Sequence, residues 1–194
     1  GSGSGSASVP EGRPLFVSSL QSDGTLLAKA GLHGPWVKET SRIRHASLAS
    51  DPKNGLFLVA LDEFGVLRGK QGISGPWTTL AYGISQAVAT TDSSNGLFVA
   101  AVGTDGTLSA KRGMSGPWVK LISGIAQVSI SSDSKNGLFV GAVTTNGTLF
   151  GKQGVGGVWT NLGTGISQVA VTTDPVNGVT YVARRSDGKA IGKQ

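Results

Sequence analysis

The 194-residue sequence contains no cysteine, and only 14% of its residues are charged and 6% aromatic. The absence of cysteine excludes disulfide bonds, cysteine-ligated zinc and a thiol nucleophile. No apolar run approaches the roughly 18 residues that a membrane-spanning helix requires. Glycine is abundant, with 31 residues, but it does not recur at every third position, and this excludes a collagen helix. What remains is a globular chain with many tight turns, which indicates β structure.

The positive net charge of +6 is scattered along the chain. A nucleic-acid partner requires cations that cluster on one face. The densest groups here are only pairs, Arg42 with Arg44 and Arg184 with Arg185. We therefore expect no nucleic-acid partner and no membrane span. Residues 1–6 read GSGSGS and are interpreted as an added linker, so residues 7–194 form one predicted domain.

A repeat organises the rest of the sequence. An interval of 41 residues separates the tryptophans, which are Trp36, Trp77, Trp118 and Trp159. Asn-Gly pairs keep the same interval, beginning at Asn54, Asn95, Asn136 and Asn177. So does a lysine, found at Lys29, Lys70, Lys111, Lys152 and Lys193. Several residue types held in phase over the whole chain indicate a repeat architecture.

Each unit predicts four short antiparallel strands. The first strand alternates apolar and small polar residues, as in ISQVAVTT, and ends in a turn with Asp and Asn-Gly. The second is nearly all apolar, as in LFVAAV, which is typical of a strand covered on both faces. An Asp-Gly turn leads to the third strand, and the fourth surrounds the tryptophan. This pattern predicts a β-propeller rather than a β-trefoil, because a trefoil closes with three units and this chain contains more than four.

The predicted propeller is all-β and has five blades, of which the first and the last are incomplete. The chain enters the repeat in a second strand at Leu15, after a weak candidate strand near Ala7 to Val9. The last unit, from Gly165 to Gln194, contains no fifth tryptophan strand. We favour a five-bladed ring that closes imperfectly within one chain. The alternative is a ring completed by neighbouring chains or belonging to a longer propeller, and exposed edge strands would allow self-association.

No residue pattern indicates catalysis, a cofactor or a metal site. Seven acidic residues occupy repeated turns, where Asp accepts backbone N–H groups: Asp23, Asp51, Asp92, Asp105, Asp133, Asp174 and Asp187. The sequence shows no facing carboxylate pair, no metal spacing around its two histidines, no nucleophile elbow and no phosphate loop. One alternative is a single active site at the channel mouth, built from Arg44, His45, Asp62 and Glu63.

Three repeated side chains go beyond what the turns require. The tryptophan could pack at the outer strand or form a platform for a sugar face. The lysine of the third strand, as in Lys70, Lys111 and Lys152, could be solvated, pair with a turn Asp, or donate to ligand hydroxyls. The glutamine of the innermost strand could satisfy backbone groups or line a cleft between blades. It recurs as Gln86, Gln127 and Gln168, with His45 in the same place.

The pattern GPW-x-K, GISQVAVTTD, NG-LFVAAV and TDGTL resembles the propeller lectins of the tectonin and tachylectin type, from Leu15 to Gln194. The resemblance implies calcium-independent glycan binding in pockets between blades, and a secreted, extracellular protein. Such lectins often carry a further aromatic residue after the D-G-x-L turn, where this chain has Leu27, Arg68, Ser109, Phe150 and Ile191. We expect a multivalent carbohydrate-binding protein without catalysis. The alternative is a structural or protein-interaction propeller appended to a larger secreted enzyme.

Overall fold

A computed structural model describes residues 15–194, which form eighteen β-strands and no helix. Three four-stranded antiparallel sheets lie between two three-stranded sheets. We number these sheets blades 1 to 5 in chain order. The prediction of an all-β propeller with about five blades is confirmed, and within residues 15–194 the first and last blades have three strands each. The candidate strand near Ala7 to Val9 lies outside the described residues.

Each complete blade runs from an inner strand to an outer one. Blade 1 contains β1 (Phe16–Leu20), β2 (Leu26–Ala30) and β3 (Val37–Thr40). Blade 2 contains β4 (Ile43–Asp51), β5 (Gly55–Asp62), β6 (Leu67–Gln71) and β7 (Thr78–Ala81). Blade 3 contains β8 (Ile84–Asp92), β9 (Gly96–Gly103), β10 (Leu108–Arg112) and β11 (Val119–Ile122). Blade 4 contains β12 (Ile125–Asp133), β13 (Gly137–Thr144), β14 (Leu149–Gln153) and β15 (Thr160–Gly163). Blade 5 contains β16 (Ile166–Asp174), β17 (Gly178–Arg185) and β18 (Ala190–Lys193).

The Asp-x-x-Asn-Gly turns close the hairpins between the first two strands of a unit. At the turn of blade 3, Asp92 Oδ1 accepts hydrogen bonds from the backbone nitrogens of Ser94 (2.9 Å) and Asn95 (2.8 Å). Gly96 has a φ of 72°, which glycine adopts without a Cβ clash. The turn therefore fixes the register in which Asp92 pairs with Gly96.

The second strand of blades 2 to 4 is buried on both faces. In β9, Phe98 packs in a cluster with Val140 of blade 4, and Val99 packs in another with Val59 of blade 2. Alternate residues of a strand point to opposite faces of its sheet. A blade is therefore apolar on both sides and is sandwiched between its two neighbours, which explains the nearly continuous apolar sequence of this strand.

Blades 1 and 5 are not joined to each other by any hydrogen bond, ion pair or shared hydrophobic cluster among residues 15–194. The free face of blade 5 differs from the corresponding face of blade 3, where Phe98, Val102 and Leu108 pack on blade 4. In blade 5 the same repeat positions hold Thr180, Arg184 and Ala190. This face of blade 5 is therefore more polar than the corresponding face of blade 3.

A buried ion pair marks the junction of blades 1 and 2. Glu39 on β3 takes the place of the leucine found at Leu80 and Leu121, and it pairs with Lys70. The two side chains are only 1% and 5% exposed, and Glu39 Oε1 has no hydrogen-bond partner. Lys70 Nζ also donates to the carbonyl of Ile73 at 2.6 Å. The lysine therefore has a second acceptor, whereas the carboxylate depends on the lysine.

This asymmetry predicts unequal effects for two substitutions. We expect Lys70→Met to lower the free energy of unfolding by about 3–5 kcal/mol, because it leaves a buried carboxylate without a cation. Glu39→Leu restores the residue of the other blades, so we expect a change of less than about 1 kcal/mol. Urea denaturation of both variants measures this difference. Equal losses for the two variants would contradict it.

The turn carboxylates predict sensitivity to acid. Burial alone would raise the pKa of Asp133, but hydrogen bonds from Asn136 and Lys135 hold that pKa below the ordinary 3.8. A carboxyl whose pKa is lowered by folding stabilises the fold above its unfolded pKa, and this stabilisation is lost as the pH falls through the folded pKa. We therefore expect the thermal midpoint to stay level down to about pH 4 and to fall below it. Asp133→Asn should flatten that fall, which thermal scans from neutral pH down through the acid transition would detect.

Candidate functional site

The repeated tryptophans join each blade to the one before it. Trp118 Nε1 donates to the carbonyl of Leu80 in blade 2 at 3.0 Å. The corresponding bonds run from Trp77 to Glu39 at 3.1 Å and from Trp159 to Leu121 at 3.4 Å. Trp36 belongs to blade 1, which has no described blade before it, and this residue is 46% exposed. The indole N–H of the three inner tryptophans is therefore occupied between blades.

The repeated lysines are buried beside these tryptophans. The Nζ atoms of Lys70, Lys111 and Lys152 lie 5.2, 5.3 and 5.0 Å from the ring centroids of the tryptophans seven residues later. Lys111 Nζ also donates to the carbonyl of Met114 at 2.7 Å. Burial lowers the pKa of Lys111 and that of Lys152. The interpretation that these lysines are solvated or paired with a turn Asp is wrong, because their ammonium groups are enclosed between blades.

The repeated glutamines connect the innermost strands. Gln86 Oε1 accepts the backbone N–H of Val128 in blade 4 at 2.8 Å. Gln127 both accepts from Val169 N at 2.7 Å and donates to Val169 O at 2.9 Å. Gln168 and His45 occupy the same repeat position in blades 5 and 2, and both are exposed. The amides of blades 3 and 4 thus satisfy backbone groups of the following blade.

These hydrogen bonds between blades predict that two glutamines differ in their contribution to the free energy of unfolding. Gln127→Ala leaves both Val169 backbone groups without their partner, so we expect a loss of about 1–3 kcal/mol in the free energy of unfolding. Gln168→Ala is the matched control, because among residues 15–194 the Gln168 side chain forms no hydrogen bond, whereas that of Gln127 forms two with Val169. Guanidinium denaturation should show little change for the control. A loss of the same size in both variants would exclude the hydrogen bonds between Gln127 and Val169 as the cause.

A cleft of about 290 Å³ opens between blades 2 and 3. One wall is the link from blade 2 to blade 3, and the other is formed by β9, β10 and the turn that connects them. Its polar and aromatic side chains come from Tyr82, Thr104, Asp105, Thr107, Ser109 and Trp118. We call it the Ser109 cleft. Of the repeated Trp, Lys and Gln side chains, only Trp118 lines this cleft.

The small side chain of Ser109 is what keeps this cleft open. The same repeat position holds Arg68 in blade 2 and Phe150 in blade 4. Arg68 reaches across to Asp62, with which it forms an ion pair at 2.8 Å. A larger side chain therefore occupies the equivalent repeat position at both neighbouring junctions. Variation after the D-G-x-L turn was the signal in the sequence that could have located the cleft.

The cleft combines an ionised carboxylate with hydroxyl groups and aromatic surface. Asp105 Oδ1 accepts the backbone N–H of Thr107 at 2.9 Å, and this hydrogen bond lowers the pKa of Asp105 below 3.8. Hydroxyls of Thr104, Thr107 and Ser109 can each donate and accept. The Tyr82 side chain is 75% exposed at the rim. Such a set can bind a neutral polyhydroxylated ligand through both its polar and its apolar faces.

A second cavity, of about 370 Å³, lies among the Asp-x-x-Asn-Gly turns of blades 2 to 5. Its carboxylates already accept hydrogen bonds from residues within the turns and from the neighbouring blade. Asp51 Oδ2, for example, accepts from Thr91 of blade 3 at 2.6 Å and from Asn54 at 2.9 Å. Residues 15–194 contain no group of three or more His, Asp or Glu side chains placed to hold a metal ion. The same residues contain no helix long and apolar enough to cross a membrane.

The alternative active site is not assembled in the described residues. Asp62 is ion-paired with Arg68, and Glu63 lies 3.7 Å from Arg42. Arg44 donates to the carbonyl of Ser85 at 3.3 Å. No hydrogen bond connects His45 with either carboxylate. These residues therefore lack the contacts that a general acid and base pair requires.

Comparison with known proteins adds information on the fold. No protein-family model and no curated protein sequence matches this chain. The lectin SapL1, solved in complex with alpha methyl fucoside, is similar with a TM-score of 0.62 at 13% identity, covering 94% of this chain and 76% of that one. A variant of AofleA from Arthrobotrys oligospora, in which three arginines are replaced by alanine, gives 0.63 at 10% identity, covering 92% and 64%. This chain therefore spans less than two thirds of AofleA. Both are propeller lectins, which confirms the fold expected from the resemblance.

Proposed function

We propose that this protein binds carbohydrate and that the Ser109 cleft is one of its binding sites. The observation that carries the proposal is the convergence of Tyr82, Trp118, an ionised Asp105 and three hydroxyl side chains in one cleft between blades. A sugar ring presents C–H groups on its faces and hydroxyls at its edge. Aromatic rings can pack on the first, and carboxylates and hydroxyls can bind the second. The lectin complex with a fucoside supports the same class of ligand.

The charge of the cleft favours neutral sugars. Asp105 is an acceptor that can bind vicinal hydroxyls of a sugar through charge-assisted hydrogen bonds. The same carboxylate would repel the acid group of a sialic or uronic acid. Because the pKa of Asp105 is lowered, we infer that affinity is constant from neutral pH down to about pH 5 and weakens only when this carboxyl becomes protonated.

Multivalent binding extends this proposal to the other junctions. Their clefts differ, because Arg68 with Asp62 and Phe150 replace the small side chain of Ser109. Sites of unequal strength on one molecule would still add avidity toward a surface rich in glycans. Of the repeated Trp, Lys and Gln side chains, Trp118 lines the Ser109 cleft, and direct contact with ligand by the others stays a prediction. An extracellular location and the absence of catalysis belong to the same proposal.

A larger side chain at position 109 should weaken the binding of carbohydrate in the Ser109 cleft. We expect Ser109→Phe, which introduces the residue of blade 4, to weaken binding at least about tenfold, because the ring occupies the ligand's place. Phe150→Ser is the matched control and leaves the Ser109 cleft unchanged. A glycan array on the unaltered protein would identify a ligand, and isothermal titration calorimetry would compare the variants.

Two results would overturn the proposal. One is the absence of any glycan bound at millimolar concentration. The other is unchanged affinity in Ser109→Phe with a normal unfolding midpoint, which would exclude this cleft. Asp105→Asn removes the charge but keeps an acceptor oxygen, so we expect a smaller loss of affinity than for Ser109→Phe.

A further inference from the structure

Five Asn-Gly pairs occur in this chain, and one of them differs from the rest in its surroundings. The fifth, Asn146-Gly147, lies in the turn between β13 and β14. An Asn-Gly pair is chemically reactive, because glycine has no Cβ to shield its backbone nitrogen from the side-chain amide of the asparagine. The rate therefore depends on how firmly each asparagine side chain is held. The other four pairs belong to the Asp-x-x-Asn-Gly turns and begin at Asn54, Asn95, Asn136 and Asn177.

The asparagines of the Asp-x-x-Asn-Gly turns are held through their amide nitrogens. Asn95 Nδ2 donates to both carboxylate oxygens of Asp92, at 3.0 and 3.1 Å. It also donates to the carbonyl of Asp133 in blade 4 at 3.4 Å. Asn54 and Asn136 donate in the same way to their turn aspartates and to the following blade. Rotation of these side chains toward the next glycine would break charge-assisted hydrogen bonds.

Asn146 is exposed and is held only through its amide oxygen. Its Oδ1 accepts hydrogen bonds from the hydroxyls of Thr144 and Thr148, the latter at 3.3 Å. Its Nδ2 has no hydrogen-bond partner among residues 15–194. Hydroxyl donors on the oxygen make Cγ more electrophilic and stabilise the negative charge that develops when a nucleophile attacks it. The Asn146 amide thus combines an unheld leaving group with an activated carbonyl.

We propose that Asn146 is a site of spontaneous deamidation and reacts faster than the asparagines of the Asp-x-x-Asn-Gly turns. The backbone nitrogen of Gly147 forms a bond to Asn146 Cγ, and the bond from Cγ to Nδ2 breaks. The proton of the Gly147 nitrogen leaves with the amide group as ammonia, and a cyclic succinimide remains. Solvent water then opens this ring at either carbonyl, which gives aspartate or isoaspartate. The balance is one water consumed and one ammonia released, with no oxidation or reduction.

The turn has to open briefly for this attack. Gly147 N donates to the carbonyl of Thr144 at 3.0 Å, and this bond must be released before the nitrogen can reach Cγ. Opening of an exposed turn costs much less free energy than global unfolding. At Asn95 the cost is higher, because Gly96 is paired with Asp92 in the ladder of β8 and β9 and the carboxylate bonds must break as well.

The aspartate product fits this turn, because blade 3 already has the same turn sequence. Deamidation converts TNGT at residues 145–148 to TDGT, which is the sequence of residues 104–107. The hydroxyl of Thr144 can donate to the new carboxylate as it does to the amide oxygen. The reaction lowers the formal net charge of +6 by one. With age, blade 4 therefore acquires the charge that Asp105 gives to the Ser109 cleft, and this inference does not depend on carbohydrate binding.

Peptide mapping of the aged protein tests the proposal. The intact protein is kept at mildly alkaline pH and body temperature for several weeks, and samples are digested briefly with trypsin at mildly acidic pH. Cleavage after Lys135 and Lys152 places Asn136 and Asn146 in one peptide, NGLFVGAVTTNGTLFGK, and fragment masses distinguish the two. We expect Asn146 to lose its amide at least about tenfold faster than Asn136. Equal rates, or a faster loss at Asn136, would overturn the proposal.

The same chain unfolded in guanidinium chloride is the matched control. Both asparagines then precede a glycine in an open chain, so we expect their rates to agree within about threefold. If Asn146 is preferred as strongly in the unfolded chain, the local sequence and not the structure causes the preference, and the proposal is wrong. No loss at Asn146 in the folded protein while the unfolded chain reacts would also contradict it.

Ion-exchange chromatography of Asn146→Gln gives a second measurement that does not depend on digestion. We expect the aged, unaltered protein to form a more acidic species, because the product carries an additional carboxylate. The aged variant should lack this species. An acidic species that forms equally in both proteins would place the reaction at another residue.

Discussion

Burial between neighbouring blades is the interaction on which this structure depends. A blade is a small antiparallel sheet with apolar side chains on both faces, so neither face is stable in water unless another blade covers it. Val99 on one face of β9 and Phe98 on the other are buried by different neighbours. The repeated polar side chains stabilise the same contacts between neighbouring blades. Trp118 and Gln127 each satisfy a backbone group of an adjacent blade, which removes the cost of burying that group unpaired.

The individual character of each junction comes from the places where the repeat is broken. Glu39 replaces a leucine and introduces a buried charge that only Lys70 neutralises. Ser109 stands where blades 2 and 4 have Arg68 and Phe150, and it lines a cleft between blades 2 and 3. Tyr181 stands where blades 3 and 4 have Val99 and Val140, and its ring lies beside Gly151 of blade 4. A repeat that maintains the packing thus leaves a few positions free to vary, and these positions give the junctions different chemistry.

The sequence by itself determined the strand order and the turns of each unit, because the 41-residue interval, the Asn-Gly turns and the doubly apolar strands are local patterns. It favoured five blades but left a longer propeller open. It also placed the glutamines on the innermost strands. Only the tertiary structure decided which groups are available to a ligand. Lys111 is an ordinary cation in the sequence, but it is enclosed between blades by residues far along the chain. Whether Ser109 opens a cleft likewise depends on Tyr82 and Trp118, which approach it only when blades 2 and 3 pack together. Burial is a property of neighbours in space, so it cannot be read from one position of a repeat.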